Sequence, residues 1–114
     1  MPGAEAPDAV FAALSDSTRR RLLAALTQRG AATATELARE LPISRQAVSK
    51  HLGVLAEAGL VEGEPDGRSV RYRPTPAPMS EAVEWMTTVG RQWDARLAAL
   101  ARSVEADQGG PAAE

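Results

Sequence analysis

The side chains best equipped for chemistry lie between Ser44 and His51 and again at Arg68 and Arg71. The run Ser44-Arg-Gln-Ala-Val-Ser-Lys-His51 predicts a helix that presents Arg45, Gln46, Ser49 and Lys50 together. Val48, Leu52 and Leu55, at i, i+4 and i+7, turn the other way toward a core. A face of this kind is made of hydrogen-bond donors and short amphoteric groups. Arginine can bind guanine in bidentate fashion, and glutamine can bind adenine likewise. Ser44, Ser49 and Lys50 suit phosphate oxygens, which fix position without specifying sequence. The competing reading is a plain solvated helix face, and the elements on either side weigh against it.

Those elements are legible from their caps and breakers. Asp16 is a good N-cap for a helix from Ser17 to about Arg29, with Leu22, Leu23 and Leu26 inward and Gly30 closing it. Thr33 and Glu36 stand three apart as a capping box for a short helix that Pro42 halts, with Leu37 and Leu41 facing the core. Ser44 caps the next helix, Arg45 to about Ala58, which Gly59 ends. Two helices joined by Leu41-Pro42-Ile43 form a helix-turn-helix candidate.

Leu60–Glu64 and Ser69–Arg73 read as two strands around Pro65-Asp66-Gly67-Arg68. Arg68 then sits at the turn, and Arg71 and Arg73 alternate with Val70 and Tyr72. The arginines suit phosphate or the minor groove; the alternative is edge-strand protection by charge. His51, the single histidine, reads as a phosphate contact or a packed imidazole; ligating a metal would need carboxylates across a dimer. Arg19, Arg20 and Arg21 either approach phosphate or pair with acids such as Asp16.

Residues 1–7 are expected to be disordered, with Asp8 capping a short helix through Val10, Phe11 and Leu14. Residues 8–78 form the winged helix-turn-helix part. A long helix follows over 79–106, and 107–114 is expected to be a disordered tail. In the long helix Met79, Val83, Met86, Gly90, Trp93, Leu97, Leu100 and Val104 recur in steps of four and three, a heptad seam. Such a seam suits pairing with a second copy. Phe11, Leu14, Val83, Met86, Trp93, Leu97 and Leu100 are the expected dimer interface. The fold class is therefore mainly α with a two-stranded β wing and a long C-terminal dimerisation helix.

Composition bounds the function. The formal net charge is −2, but it is unevenly spread. Ser17–Arg73 holds ten basic and six acidic residues, and the rest holds three and nine. Only the middle is then suited to phosphate. With no cysteine there is no disulfide, thiolate metal site or thiol redox sensor, and one histidine excludes a histidine-rich metal site within one chain. No metal or cofactor is expected. No apolar run of about 18 residues offers a membrane span, and the first residues lack the apolar core of a secretory signal. A cytoplasmic location is expected, with no membrane partner. No nucleophile–base pair or phosphate loop suggests an enzyme.

The segments Phe11–Arg19, Glu36–Leu41 and Ser44–Leu60, with Gly67-Arg68 ahead of Tyr72, resemble the ArsR/SmtB family of bacterial winged-helix repressors. The match spans roughly residues 9–73. The resemblance implies a dimer with its first and last helices at the interface, bound to double-stranded DNA at an imperfect palindromic operator and blocking transcription, often of its own operon. Metal-sensing members resemble one another in a cysteine-containing segment before the recognition helix, or in His and Asp ligands on the last helix. Here the first position reads Glu36-Leu-Ala-Arg-Glu-Leu41, and the last helix has no histidine. The chain looks more like the metal-independent, autorepressor-like branch. Two other readings remain: a sensor gated by a small apolar effector near Trp85 and Trp93, and a winged protein-interaction module that does not use DNA.

Overall fold

The computed structural model describes residues 2–112, with side chains over 7–107. In order, the chain forms α1 (Pro2–Ala13), α2 (Ser17–Arg29), β1 (Ala32–Thr33), α3 (Ala34–Glu40), α4 (Arg45–Glu57), β2 (Val61–Asp66), β3 (Ser69–Pro74) and α5 (Pro76–Ala112). Two compact units divide between Ala82 and Val83, a few residues beyond the sequence-based boundary at 78.

The caps act as their residue types dictate. Asp16 accepts from the Arg19 amide at 3.0 Å, and Gly30 closes α2 at φ +88° with its N–H on the Leu26 carbonyl. Thr33 and Glu36 complete the capping box in both directions, at 3.2 and 2.8 Å. Leu41 precedes proline and is therefore driven to extended backbone, φ −121°, which ends α3. Ser44 Oγ accepts from the Ala47 amide at 3.1 Å and starts α4. That helix ends in a full Schellman motif, with Leu60 N–H on the Leu55 carbonyl and Gly59 N–H on the Ala56 carbonyl. Gly59 takes φ +78°, a conformation that favours glycine.

These caps aim the apolar faces at one core. Leu22, Leu26, Leu37, Val48, Leu52 and Leu55 are all fully buried, joined by Val10 from α1 and Ala82 from the start of α5. Phe11, Leu14, Leu41, Tyr72 and Met79 pack on its margin.

Three boundaries and one strand differ from the sequence reading. α1 begins at Pro2, so Asp8 lies inside it rather than capping it, and the expected irregular stretch 1–7 is helical from residue 2. α5 runs from Pro76 to Ala112, starting three residues early because proline is favoured in a first helical turn and continuing through much of the expected tail. Met1 and residues 113–114, which share those two expectations, lie outside the described residues. The hairpin ladder extends through Asp66↔Ser69, leaving only Gly67-Arg68 as the turn. Gly67 takes φ +63° and Arg68 does not, the pattern of a type II′ turn. Pro65 is tolerated in the ladder because β2 is an edge strand. Finally, the sheet has three strands in the order β1-β3-β2, with Ala32↔Tyr72 and Thr33↔Arg71 added to the two-stranded wing.

The segment Val83–Ala112 is helical throughout. Val83, Met86, Trp93, Leu97 and Leu100 are each about half exposed or more, with Trp93 at 65%. No helix of the described residues is long and apolar enough to cross a membrane.

Candidate nucleic-acid interface

A groove of about 120 Å³ separates the N-terminal half of α4 from the wing. Arg45 and Ser49 line one wall; Arg68, Ser69, Val70 and Tyr72 line the other; Thr33, Ala34 and Thr35 form the end. Two of the predicted α4 residues and the predicted turn arginine thus converge across residues 45–68. Arg45, Gln46, Ser49 and Lys50 are all exposed, opposite the buried Val48, Leu52 and Leu55. Gln46 and Lys50 lie on that open face without lining the groove. Ser44 is exposed, with its oxygen engaged by the α4 cap.

Charge pairing separates these basic residues into two sets. Among the described residues Arg45, Lys50 and Arg68 have no carboxylate within ion-pair distance, whereas Arg29, Arg71 and Arg73 all do. Arg71 Nε donates to Asp66 Oδ2 at 3.1 Å, and its Nη1 lies 3.4 Å from Glu36 Oε1. Arg73 pairs with Glu64 at 2.7 Å. Arg29 pairs with both Glu36 and Glu40. The cations without carboxylate partners therefore include one from each side of the groove.

The first two arginines of the run at the start of α2 are used locally. Arg19 Nε donates to the Ala13 carbonyl at 2.6 Å, and Arg20 Nη1 donates to the Leu14 carbonyl at 2.7 Å. They satisfy carbonyls where α1 ends. Arg19 Nη1 also lies 3.5 Å from His51 Nδ1. A guanidinium can only donate, so in any hydrogen bond between the two Nδ1 is the acceptor. His51 is half-buried.

Two carboxyls are held below their ordinary range. For Asp16 the main cause is the Arg19 amide it accepts from, with the Arg19 charge adding to it. For Glu36 it is the Thr33 amide, reinforced by the Arg71 and Arg29 charges. In both, partial desolvation acts in the opposite sense.

Sequence reasoning missed the groove's far end. Ala32-Thr33 is too short for any periodicity, and the pairing of Glu36 with Arg71 spans 35 residues with no local signal. Of the two tryptophans, Trp93 lines a hollow with Gln92 and Arg96. No cluster of three or more metal-ligating side chains occurs among the described residues.

Residues 14–64 match a helix-turn-helix domain family. The chain is 37% identical to the HTH-type transcriptional regulator Rv2034 of Mycobacterium tuberculosis, covering 89% of this chain and 91% of that one. It is 32% identical to the transcriptional repressor SdpR of Bacillus subtilis, over 68% of this chain and 84% of that one. Among solved structures, an ArsR-like transcriptional regulator from Rhodococcus sp. RHA1 superposes with a TM-score of 0.74 and 41% identity, covering 90% of this chain and 95% of that one. With α4 and the wing arranged as described and likeness over nearly the whole length, the chain belongs to the ArsR family of winged helix-turn-helix, DNA-binding transcriptional regulators.

Proposed function

We propose that the protein is a homodimeric, metal-independent repressor that acts by occupying an operator, its own promoter region included. The observation that carries this reading is the groove in which Arg45 and Ser49 face Arg68, with both arginines free of carboxylate partners among the described residues. In this reading α4 enters the major groove. Arg45 reads guanine, Gln46 reads adenine, and Ser44, Ser49 and Lys50 hold phosphates. Arg68 grips the backbone beyond the recognition helix. His51 donates to a phosphate from the same helix.

A second copy would pair along Val83, Met86, Trp93, Leu97 and Leu100, with Phe11 and Leu14 contributing from α1. Support comes from the half-exposed apolar seam, which one helix repeats over more than three heptads. Two-fold symmetry would set the recognition helices about one DNA turn, about 10 base pairs, apart on an imperfect palindrome. Such a regulator works in the cytoplasm, where its operator is.

The test is a binding titration on DNA from upstream of the protein's own gene, with sedimentation to give stoichiometry. The expected result is one dimer per site and a preference over scrambled duplex. Monomeric protein, or no duplex binding at low salt, would overturn the proposal.

A further inference from the structure

We infer that Arg71 is a positioning residue that clasps the wing onto the helix-turn-helix through Glu36, rather than a phosphate contact. This rests on the DNA-binding reading above and assigns a different task to one arginine of the wing. Three observations carry it. Arg71 and Thr33 are cross-strand partners in β3 and β1. Glu36, in the first turn of α3, reaches back over that pair: its Oε1 accepts from the Thr33 amide at 2.8 Å and lies 3.4 Å from Arg71 Nη1. Arg71 Nε meanwhile holds Asp66 Oδ2, beside the wing turn, at 3.1 Å.

One guanidinium therefore ties the wing turn to the α3 cap. Its charge is already matched by two carboxylates, so bringing it to a phosphate would strip Asp66 of its cation and leave Glu36 with Arg29 alone. Arg68, three residues earlier, has no such partner among the described residues. The clasp also sits where it can set the groove's width. Thr33, Ala34 and Thr35 form the groove's end, α3 packs on α4, and Ser69, Val70 and Tyr72 of the clasped strand form the wall facing Arg45. Loosening Arg71 should let Arg68 wander relative to Arg45 without removing a DNA contact.

Two measurements on the full-length protein test this. The first is amide hydrogen exchange across 66–72 in the DNA-free protein, for wild type, Arg71→Gln and Glu36→Gln. Glutamine at 36 keeps the capping box while removing the charge. Exchange should rise in both variants by similar factors, and the double variant should add little. The second is the salt dependence of binding to a short random-sequence duplex. Arg71→Gln should weaken binding with the slope of log K against log salt unchanged. Arg68→Gln should make that negative slope shallower by about 0.9, the value for one lost phosphate contact. A similarly shallower slope for Arg71→Gln, with exchange unchanged, would overturn the inference. Should the wild type bind no duplex, the functional reading fails while the exchange result still decides the clasp.

Discussion

Helix α4 and the wing face each other across one groove, yet α4 fully buries Val48, Leu52 and Leu55 while β2 leaves five of its six positions exposed. The helix is placed by apolar burial, which ionic screening does not weaken, at positions spaced over two turns. The wing has almost no core of its own. Its anchors are Val61, the half-buried Tyr72, and ion pairs of Arg71 and Arg73 that stay partly open to water. Under the proposed function, the firmly seated helix would read base edges and the lightly anchored wing would hold phosphates, which position without specifying sequence.

The largest effect should come from the helix side. Leu52→Ala removes a fully buried side chain and should cost about 2–5 kcal/mol, seen as a lower urea midpoint. A loss of only a few tenths would mean that α4 is not seated by its apolar face.

The wing should respond next. A Cβ on Gly63 would meet Val70 Cγ1 at 2.7 Å and Tyr72 Cε1 at 3.1 Å, because both side chains lie over the bare glycine. Gly63→Ala should therefore cost about 1–3 kcal/mol by overpacking. The mirror change on the helix, Gly53→Ala, meets nothing within 4 Å and should stabilise by about 0.5–1 kcal/mol through helix propensity. Thermal melts of the two variants should shift in opposite directions, and equal signs would break the contrast.

Acid provides a subtler separation. Asp16 and Glu36 both have carboxyls held below their ordinary range. Their stabilisation is fully present above the unfolded carboxylate range, near pH 4, and is lost as pH falls through the depressed folded values. Urea midpoints should be flat above about pH 5 and fall below pH 4. Glu36→Gln should make that acid limb shallower; an unchanged limb would show that its charge pairs contribute nothing.

Legibility in the sequence follows the same division. The caps at Asp16, Thr33 and Ser44 and the inward positions of α2, α3 and α4 are local patterns, and the structure has them where the residues indicate. What the sequence hid is non-local. β1 exists only because β3 comes back beside it, and Arg71 finds Glu36 only once the wing folds over α3. Asp66-Gly67 signalled a turn correctly but not its register, which the cross-strand pairs of an edge hairpin decide. The α1 start was missed because Pro and Gly at its head mimic an irregular segment, although proline is compatible with a first helical turn.

In the proposed function α4 reads bases while the wing supplies grip. The direct test is anisotropy of wild type and Arg45→Ala on the upstream duplex and on a scrambled one, at matched salt. The predicted result is a loss of about 1–3 kcal/mol on the upstream site with a much smaller loss on the scrambled duplex. Equal losses on both would show that Arg45 holds only backbone, and would contradict the assignment of α4 as the reader.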